Sequence, residues 1–196
     1  MWYHYSLSIN KSIMTDLFQG QLHSEVICFK CGHKNHSFES FQILHIDIED
    51  NKSVQECIEM SFLYVQLTGE NKFMCNKCGF PTISAKCERI CKFPTILIIH
   101  LKRFYSNGYH NLKKNNRILI NGTLNFSSKG FYNYNLISTI NHYGSLEGGH
   151  YVALCKDKKF NWYLFNDSSI SSIYPLENTL SDSSYILFYA LNSVQA

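Results

Sequence analysis

Two short cysteine motifs constrain the fold more than any other feature of this sequence. They read CFKCG at residues 28–32 and CNKCG at residues 75–79, so each is a C-x-x-C pair followed by glycine. In such a knuckle both thiolates reach one metal ion, and the glycine permits the bend that turns backbone N–H groups toward sulfur. Two knuckles supply four thiolates, the ligand set of a closed structural zinc site, and the predicted ligands are Cys28, Cys31, Cys75 and Cys78.

The sequence around the knuckles favours metal binding over disulfides. The chain has eight cysteines, and its first residues, MWYHYSLSINKS, lack the basic start and apolar block of a secretory signal. Reduced thiols in the cytoplasm or nucleus are therefore expected. Because the knuckles lie far apart in sequence, the fold must join two β-hairpin tips. The alternatives are four free or paired cysteines without a metal, or substitution by His33 or His36, which we interpret as solvated loop residues.

Composition excludes several function classes. With 196 residues, of which 45% are hydrophobic, the chain can bury one sizeable core. The formal net charge of +3 is small and the basic residues are scattered, so a nucleic-acid partner is not expected. The longest apolar run, near Thr95–Leu101, suits a strand and is too short to span a membrane.

Residue patterns predict an α+β, mostly β fold in one composite domain. Ile13–Leu22 has apolar residues at helical spacing, interrupted by Gly20, and a helix is expected after the capping box formed by Ser53 and Glu56, to about Val65. Pro94–Leu101 is apolar on both faces, which predicts a central strand covered on two sides. Tyr105–Ile118 is polar and predicts an exposed loop. The remaining predicted strands are Glu25–Cys28, Phe38–Ile48, Ile118–Ile120, Tyr134–Ile140 and Tyr185–Ala190.

A predicted hairpin near the C-terminus carries a candidate catalytic pair. Two strand-like runs, Tyr151–Cys155 and Trp162–Phe165, flank a turn, so His150 and Asn166 should face each other. The amide oxygen can accept Nδ1–H and leave Nε2 for a reacting group, which is two thirds of a Cys-His-Asn triad. Gly148 and Gly149 should leave the approach to the imidazole free of side chains, and as glycines they allow backbone angles that other residues avoid. The alternative is a glycine turn beside a buried histidine.

Several segments together resemble one family, the ubiquitin-specific proteases, from about Leu17 to Tyr189. They are FQGQLHSEVICFKCG, FESFQILHIDI, SVQECIEM, NKFMCNKCG, FPTILIIHLKRF, INHYGSLEGGHYVAL, WYLFNDSSI and SYILFYA, in the family's order. The resemblance implies a papain-like hand of thumb, palm and fingers that lacks most of the thumb. Residues 1–19 would be a thumb remnant, 20–93 the fingers with a zinc-ribbon-like tip, and 94–196 the palm.

The same resemblance implies the roles of individual residues. His150 would be the catalytic base, and Asn166 its orienting partner, with Asp167 as the second candidate. Successive side chains of a strand alternate faces, so both cannot point at the imidazole unless the strand ends between them. The channel for the C-terminal tail of ubiquitin would be bordered by Tyr143, Gly148, Gly149 and Tyr151. The implied partners are ubiquitin and ubiquitinated proteins.

The sequence departs from the family at the nucleophile. The family's box, roughly Gly-Asn-Thr-Cys-Tyr, does not occur in these 196 residues. The remaining cysteines are interpreted as small buried hydrophobes, namely Cys57, Cys87, Cys91 and Cys155. Cys155 lies five positions beyond His150 on one extended run, too far for proton transfer. The chain alone is therefore predicted to be inactive as an isopeptidase.

Three functions remain open. The chain is the C-terminal part of a ubiquitin-specific protease, a non-catalytic ubiquitin-binding scaffold, or a zinc-ribbon interaction module. We favour the first, because a pure binding module has no need of the Gly-Gly-His and Asn-Asp segments. Other polar residues receive simpler interpretations. His100 is predicted to pack in the core, Lys102 and Arg103 to mark the emergence of a strand into water, and Lys113-Lys114 to lie on a solvated face.

Overall fold

The structure is a computed structural model, and it describes residues 12–195 apart from 107, 129 and 175–178. Its two α-helices are α1 (Ile13–Phe18) and α2 (Val54–Ser61), and a 3₁₀ turn covers Gly69–Asn71. The first nine strands are β1 (Gly20–Cys28), β2 (Lys34–Phe41), β3 (Ile43–Ile46), β4 (Val65–Leu67), β5 (Phe73–Cys75), β6 (Phe80–Thr82), β7 (Ser84–Lys92), β8 (Ile96–Leu101) and β9 (Phe104–Ser106). The others are β10 (Asn111–Lys113), β11 (Ile118–Ile120), β12 (Thr123–Ser127), β13 (Phe131–Gly144), β14 (Gly149–Lys156), β15 (Trp162–Asn166), β16 (Ser169–Ile173), β17 (Thr179–Ser181) and β18 (Ser184–Gln195). The mostly β prediction is confirmed.

Two sheets organise these strands. The smaller sheet has four strands in the order β2-β1-β7-β4, and the larger has eight, in the order β16-β15-β14-β13-β18-β8-β3 with β12 beside β13. Three two-stranded ribbons, β5-β6, β9-β10 and β11-β17, complete the described strands. Although β3 follows β2 closely in sequence, it pairs in parallel with β8 and so belongs to the larger sheet. The division of the chain into thumb remnant, fingers and palm at residues 19 and 93 stays a prediction. Most of residues 1–19 lie outside the described part of the chain.

The main core lies on one face of the larger sheet. Helix α2 begins with the predicted capping box, in which the Ser53 hydroxyl accepts from Glu56 N–H and the Glu56 carboxylate accepts from Ser53 N–H. The helix buries Val54, Cys57 and Ile58. It ends at Ser61, earlier than predicted, because Val65 starts β4. Helix α1 ends at Phe18, just before Gly20, which interrupts the helical spacing of the sequence and begins β1.

Strand β8 is central in the larger sheet, but only one of its faces is fully covered. Its neighbours are β18 and β3, and Leu97, Ile99 and Leu101 are buried. The alternate residues Ile96, Ile98 and His100 are partly exposed. The prediction of a strand covered on two sides is therefore wrong for this second face, and His100 is half-buried rather than enclosed in the core.

The segment after β8 is more ordered than an exposed loop. It contains the hairpin β9-β10, in which Phe104 is paired with Lys113. Arg103 is fully buried, and its guanidinium donates to four carbonyl oxygens, those of Lys114, Asn116, Ser181 and Ser184, at 2.6–3.1 Å. Burial lowers its pKa to about 10, so the group stays cationic at neutral pH. The prediction that Arg103 emerges into water is wrong, whereas Lys102 is exposed and pairs with Asp47 at 3.0 Å.

Candidate functional site

The predicted hairpin forms, and it brings the candidate catalytic pair into contact. Strands β14 and β15 pair antiparallel, with Ala153 opposite Phe165 and Lys156 opposite Trp162. His150, near the start of β14, and Asn166, the last residue of β15, lie beyond these pairs at the open end of the hairpin. The distance from His150 Nε2 to Asn166 Oδ1 is 2.6 Å, and both side chains are exposed.

The nitrogen in this contact differs from the expected one. We predicted that Asn166 accepts from Nδ1, but the hydrogen bond reaches Nε2. An amide oxygen can only accept, so this contact selects the tautomer protonated on Nε2 and leaves the Nδ1 lone pair for a reacting group. The arrangement still holds the imidazole by one nitrogen and offers the other.

Asp167 occupies the turn that follows the strand. Its φ is 49°, a left-handed conformation that is uncommon for residues other than glycine. Strand β15 ends at Asn166, so the strict alternation of faces stops between the two residues. The imidazole contact comes from Asn166, and Asp167 is exposed beside it.

The two glycines before His150 have different roles from those predicted. Neither Gly148 nor Gly149 has a positive φ, so neither uses the backbone freedom that glycine allows. The glycine of this loop with a left-handed conformation is Gly144, whose φ is 104°. A Cβ on Gly149 would lie 2.1 Å from His142 Nε2 and 2.6 Å from the carbonyl oxygen of Tyr143. A Cβ on Gly148 would meet nothing within 4 Å. Gly149 is therefore required by close packing against β13.

His142 is a site residue that the sequence did not reveal. It is 2% exposed and lies under Gly149, directly opposite Tyr151 in the β13-β14 pairing. Its ring contacts Tyr151 at 4.6 Å and Phe104 at 5.3 Å between centroids. Burial, followed by the charge of Lys113, lowers its pKa, which favours the neutral ring. The only sequence signal was its place just before the glycine-containing loop.

The predicted channel residues border the same strand ends. Tyr143 is paired with His150 and is 50% exposed, and Tyr151 is 53% exposed. Successive strand residues point to opposite faces, so Tyr151 lies on the other side of the sheet from His150. Residues 145–148 connect the strands, with Ser145 N–H donating to the carbonyl oxygen of Gly148 at 2.9 Å. This exposed loop precedes His150, and the role of these residues as a channel border stays a prediction.

The four knuckle cysteines meet at the tips of two hairpins. One tip connects β1 to β2, and the other connects β5 to β6. The four Sγ atoms all lie within 4.8 Å of one another, and those of Cys31 and Cys75 are 3.7 Å apart. Both glycines take left-handed angles, with φ 67° at Gly32 and 76° at Gly79, as the motif predicted. The joining of two hairpin tips is thus confirmed.

The donor set fits a tetrahedral metal ion. Zn–S bonds of 2.3 Å place thiolate sulfurs about 3.8 Å apart in a tetrahedron. A hydrogen bond from Thr82, followed by backbone N–H groups of Cys31 and Lys30, lowers the pKa of Cys28 to about 6. A hydrogen bond with the adjacent Cys31 side chain raises the pKa of Cys78 to about 12. His36 instead contacts His23 at 2.9 Å, and within the described residues the only group of three or more candidate ligands is the cysteine cluster.

The remaining cysteines do not form a nucleophilic site with His150. Cys57 and Cys87 are buried, and burial raises the pKa of Cys57. Cys91 is exposed on β7 and Cys155 is only partly buried, so the prediction of buried cysteines is wrong for these two. Cys155 faces Ser138, with 3.1 Å between Sγ and Oγ, on the face of β14 opposite to His150.

Comparison with known proteins assigns the family. A family profile described as ubiquitin carboxyl-terminal hydrolase matches residues 2–189. The hydrolase Usp2 of Drosophila melanogaster is 33% identical over 197 residues, which cover 96% of this chain and 21% of that protein. Ubiquitin carboxyl-terminal hydrolase 21 of Mus musculus is 34% identical over 205 residues, which cover 97% of this chain and 35% of that protein.

Solved structures agree with this assignment. A yeast SAGA DUB module structure superposes with a TM-score of 0.86 at 30% identity, covering 97% of this chain and 44% of that one. A SAGA DUB module bound to ubiquitin aldehyde gives a TM-score of 0.83 at 28% identity, covering 96% of this chain and 44% of that one. The chain thus spans less than half of these relatives.

The chain belongs to the ubiquitin carboxyl-terminal hydrolase family. Within that family, its relatives and its fold place it among the ubiquitin-specific proteases, which are cysteine deubiquitinases. In the part of the chain that the structure describes, neither α-helix has the length and apolarity needed to cross a membrane.

Proposed function

We propose that this chain is the C-terminal, base-carrying part of a ubiquitin-specific cysteine protease that cleaves the isopeptide bond after the last glycine of ubiquitin. The contact between His150 and Asn166 carries the proposal, because it supplies an oriented imidazole with one nitrogen available. The nucleophilic cysteine would come from a part of the protease outside these 196 residues. The chain covers 35% of the mouse hydrolase 21, so much of such a protease lies beyond it.

The mechanism assigns one proton path to His150. Its free Nδ1 takes the proton of the cysteine thiol, and the thiolate attacks the glycine carbonyl. The imidazolium then gives the proton to the leaving lysine amine, and an acyl-enzyme remains. His150 next removes a proton from water, whose oxygen attacks the thioester and releases the ubiquitin carboxylate and the thiol. Asn166, or Asp167 in the alternative assignment, keeps the ring in one orientation throughout.

The cysteine cluster is proposed to bind a structural zinc ion. Cys28, Cys31, Cys75 and Cys78 would hold it, and the closed set of four thiolates leaves no position for a reacting water. The ion would cross-link the two hairpin tips and couple metal binding to folding. Reduced thiols of this kind suit an intracellular compartment, the cytoplasm or the nucleus.

The competing proposal is a ubiquitin-binding scaffold without catalysis, which would need no nucleophile box. Reading the coding sequence upstream of Met1 separates the two, since the protease requires an in-frame Asn-x-Cys segment there. Zinc analysis with a ubiquitin pull-down separates both from a zinc-ribbon module unrelated to ubiquitin. Zinc without ubiquitin binding would favour the ribbon.

The decisive assay measures hydrolysis of a fluorogenic ubiquitin substrate. The enzyme is the longer protein that includes the upstream Asn-x-Cys segment. His150→Ala and Asn166→Ala should each lower kcat by roughly 10²-fold or more, the usual contribution of a positioned acid–base group. Asp167→Ala is the matched comparison and should change kcat much less. A large loss with Asp167→Ala alone would transfer the orienting role to that residue. Turnover by the 196-residue chain that disappears in Cys155→Ala would contradict the proposed external nucleophile.

A further inference from the structure

A lysine from the β9-β10 hairpin contacts the strand that carries the active-site loop. The ammonium of Lys113 donates to the carbonyl oxygen of His142 at 2.8 Å and to that of Gly144 at 3.3 Å. These two carbonyls flank Tyr143, which is paired with His150 across the β13-β14 ladder. One side chain therefore holds the last residues of β13 directly opposite the proposed base.

The same hairpin also holds this strand end through a ring contact. Phe104 on β9 is paired with Lys113 on β10, and the Phe104 ring meets the ring of His142 edge-on at 5.3 Å. The His142 ring in turn lies against Gly149, the residue before His150. Lys113 thus fixes the backbone of β13 while Phe104 fixes the side chain that supports β14.

The position needs such support because it is the end of a ladder. Strand β13 ends at Gly144, and residues 145–148 are exposed. Strand ends with exposed hydrogen bonds open most readily. Lys113 is partly buried, and burial followed by the charge of Arg103 lowers its pKa. Hydrogen bonds from a charged donor to carbonyl oxygens are stronger than those between neutral groups.

We propose that Lys113 is a positioning residue for the catalytic base, acting through the backbone of His142–Gly144 on the placement of His150. The catalytic part of this inference rests on the proposed function, whereas the effect on the geometry of His150 does not. Lys113 contacts neither the imidazole nor Asn166 in any described hydrogen bond, so its action is indirect.

The test uses the zinc-loaded 196-residue chain and the variant Lys113→Met, which keeps the aliphatic stem and removes the ammonium. Lys114→Met is the matched control, because the Lys114 ammonium lies 5.7 Å from the centroid of the Tyr105 ring, a residue of β9. Amide hydrogen exchange should accelerate at least about tenfold across residues 142–151 in Lys113→Met and stay unchanged in β8 and β18. The imidazole ¹⁵N signals of His150 should lose the pattern of a ring hydrogen-bonded at Nε2, and Lys113→Arg should restore it.

Exchange rates and imidazole signals of Lys113→Met within twofold of the wild type would overturn the proposal, as would equal changes in Lys114→Met. Uniform acceleration over the whole chain would also contradict it, because that result assigns Lys113 a general stabilising role. Ubiquitin binding is measured separately on the wild-type chain. A wild-type chain that does not bind ubiquitin would count against the proposed function. The effect of Lys113→Met on the His150 imidazole signals would still be measurable.

Discussion

At the scale of single residues, the two glycines before His150 provide the sharpest test of the site geometry. Gly149→Ala should displace His142 or open the strand pair, because its Cβ would overlap the ring and the Tyr143 carbonyl. Gly148→Ala should be tolerated, since its Cβ enters open space at a negative φ. We expect Gly149→Ala to lower the free energy of unfolding by about 1–3 kcal/mol, as overpacking does. The imidazole NMR pattern of a His150 ring hydrogen-bonded to Asn166 should also be lost.

Urea unfolding followed by tryptophan fluorescence measures the first effect, and imidazole NMR measures the second. Equal behaviour of the two alanine variants would show that the strand does not pack against His142 as described.

The contact between His150 and Asn166 could be predicted because both residues lie on one hairpin. His150 and Asn166 are 16 positions apart on one hairpin, so turn and strand patterns were enough to pair them. Arg103 was misread because two of its partners, Ser181 and Ser184, lie 78 and 81 positions away. The contact of Lys113 with His142 spans 29 positions. A cation read without its distant carbonyls resembles any solvated cation.

At the scale of elements, the hairpin tips should depend on the metal. Cys75→Ser removes a buried thiol of the cysteine cluster at the point where the β5-β6 tip meets the β1-β2 tip. We expect loss of bound zinc and a lower Tm, because thiolate ligation is coupled to folding. Excess chelator should have the same effect on the wild type. Cys91→Ser, an exposed cysteine outside the cluster, is the control. A Tm unchanged by both Cys75→Ser and chelation would argue against a structural metal.

A second element-scale prediction concerns the paired strands β3 and β8. His45 and His100 are adjacent in register, with 2.8 Å between their Nδ1 atoms. Burial, then His45 and Lys102, lower the pKa of His100 below its model-peptide value of 6.5. The unfolded chain therefore takes up this proton more readily, and the contribution to stability, complete above about pH 7, decreases as the pH falls below about 6.5.

The wild-type Tm should accordingly decrease between about pH 7.5 and 5.5, and the decrease should be smaller in His100→Gln. His110→Gln, at an exposed position, is the control and should keep the full decrease. If Tm falls equally with pH in the wild type and in His100→Gln, protonation of His100 does not contribute to the pH dependence of stability.

Element identity was easier to predict than element extent. The capping box located α2 because both of its hydrogen bonds are local. Strand β1 was predicted only from Glu25, yet it begins at Gly20 because it pairs along its length with both β2 and β7. The hairpin β9-β10 was missed because its polar residues suggest a loop, while its stability comes from contacts with β13.

At the scale of the whole molecule, the larger sheet has two unequal faces. On the core face, Leu44, Ile99 and Leu187 form one buried row across β3, β8 and β18. The opposite face carries a parallel row, Ile43, Ile98 and Phe188, which is exposed or only partly buried. We call this second row and its surroundings the open face. An apolar sheet face of this kind normally packs against further structure.

The open face should make the isolated chain associate. Light scattering coupled to size exclusion should show an apparent mass that rises with concentration above the 22.8 kDa monomer, together with binding of a hydrophobic dye. Ile43→Gln should reduce both, because Ile43 lies on the open face and is 40% exposed. Ile83→Gln is the matched control, since Ile83 is 45% exposed but precedes β7 in the smaller sheet. A monomer that binds no dye at any concentration, or equal effects of the two variants, would show that the open face does not drive association. The predicted contrast arises because hydrophobic association scales with contiguous apolar area, so a row extended over three strands outweighs a single exposed isoleucine.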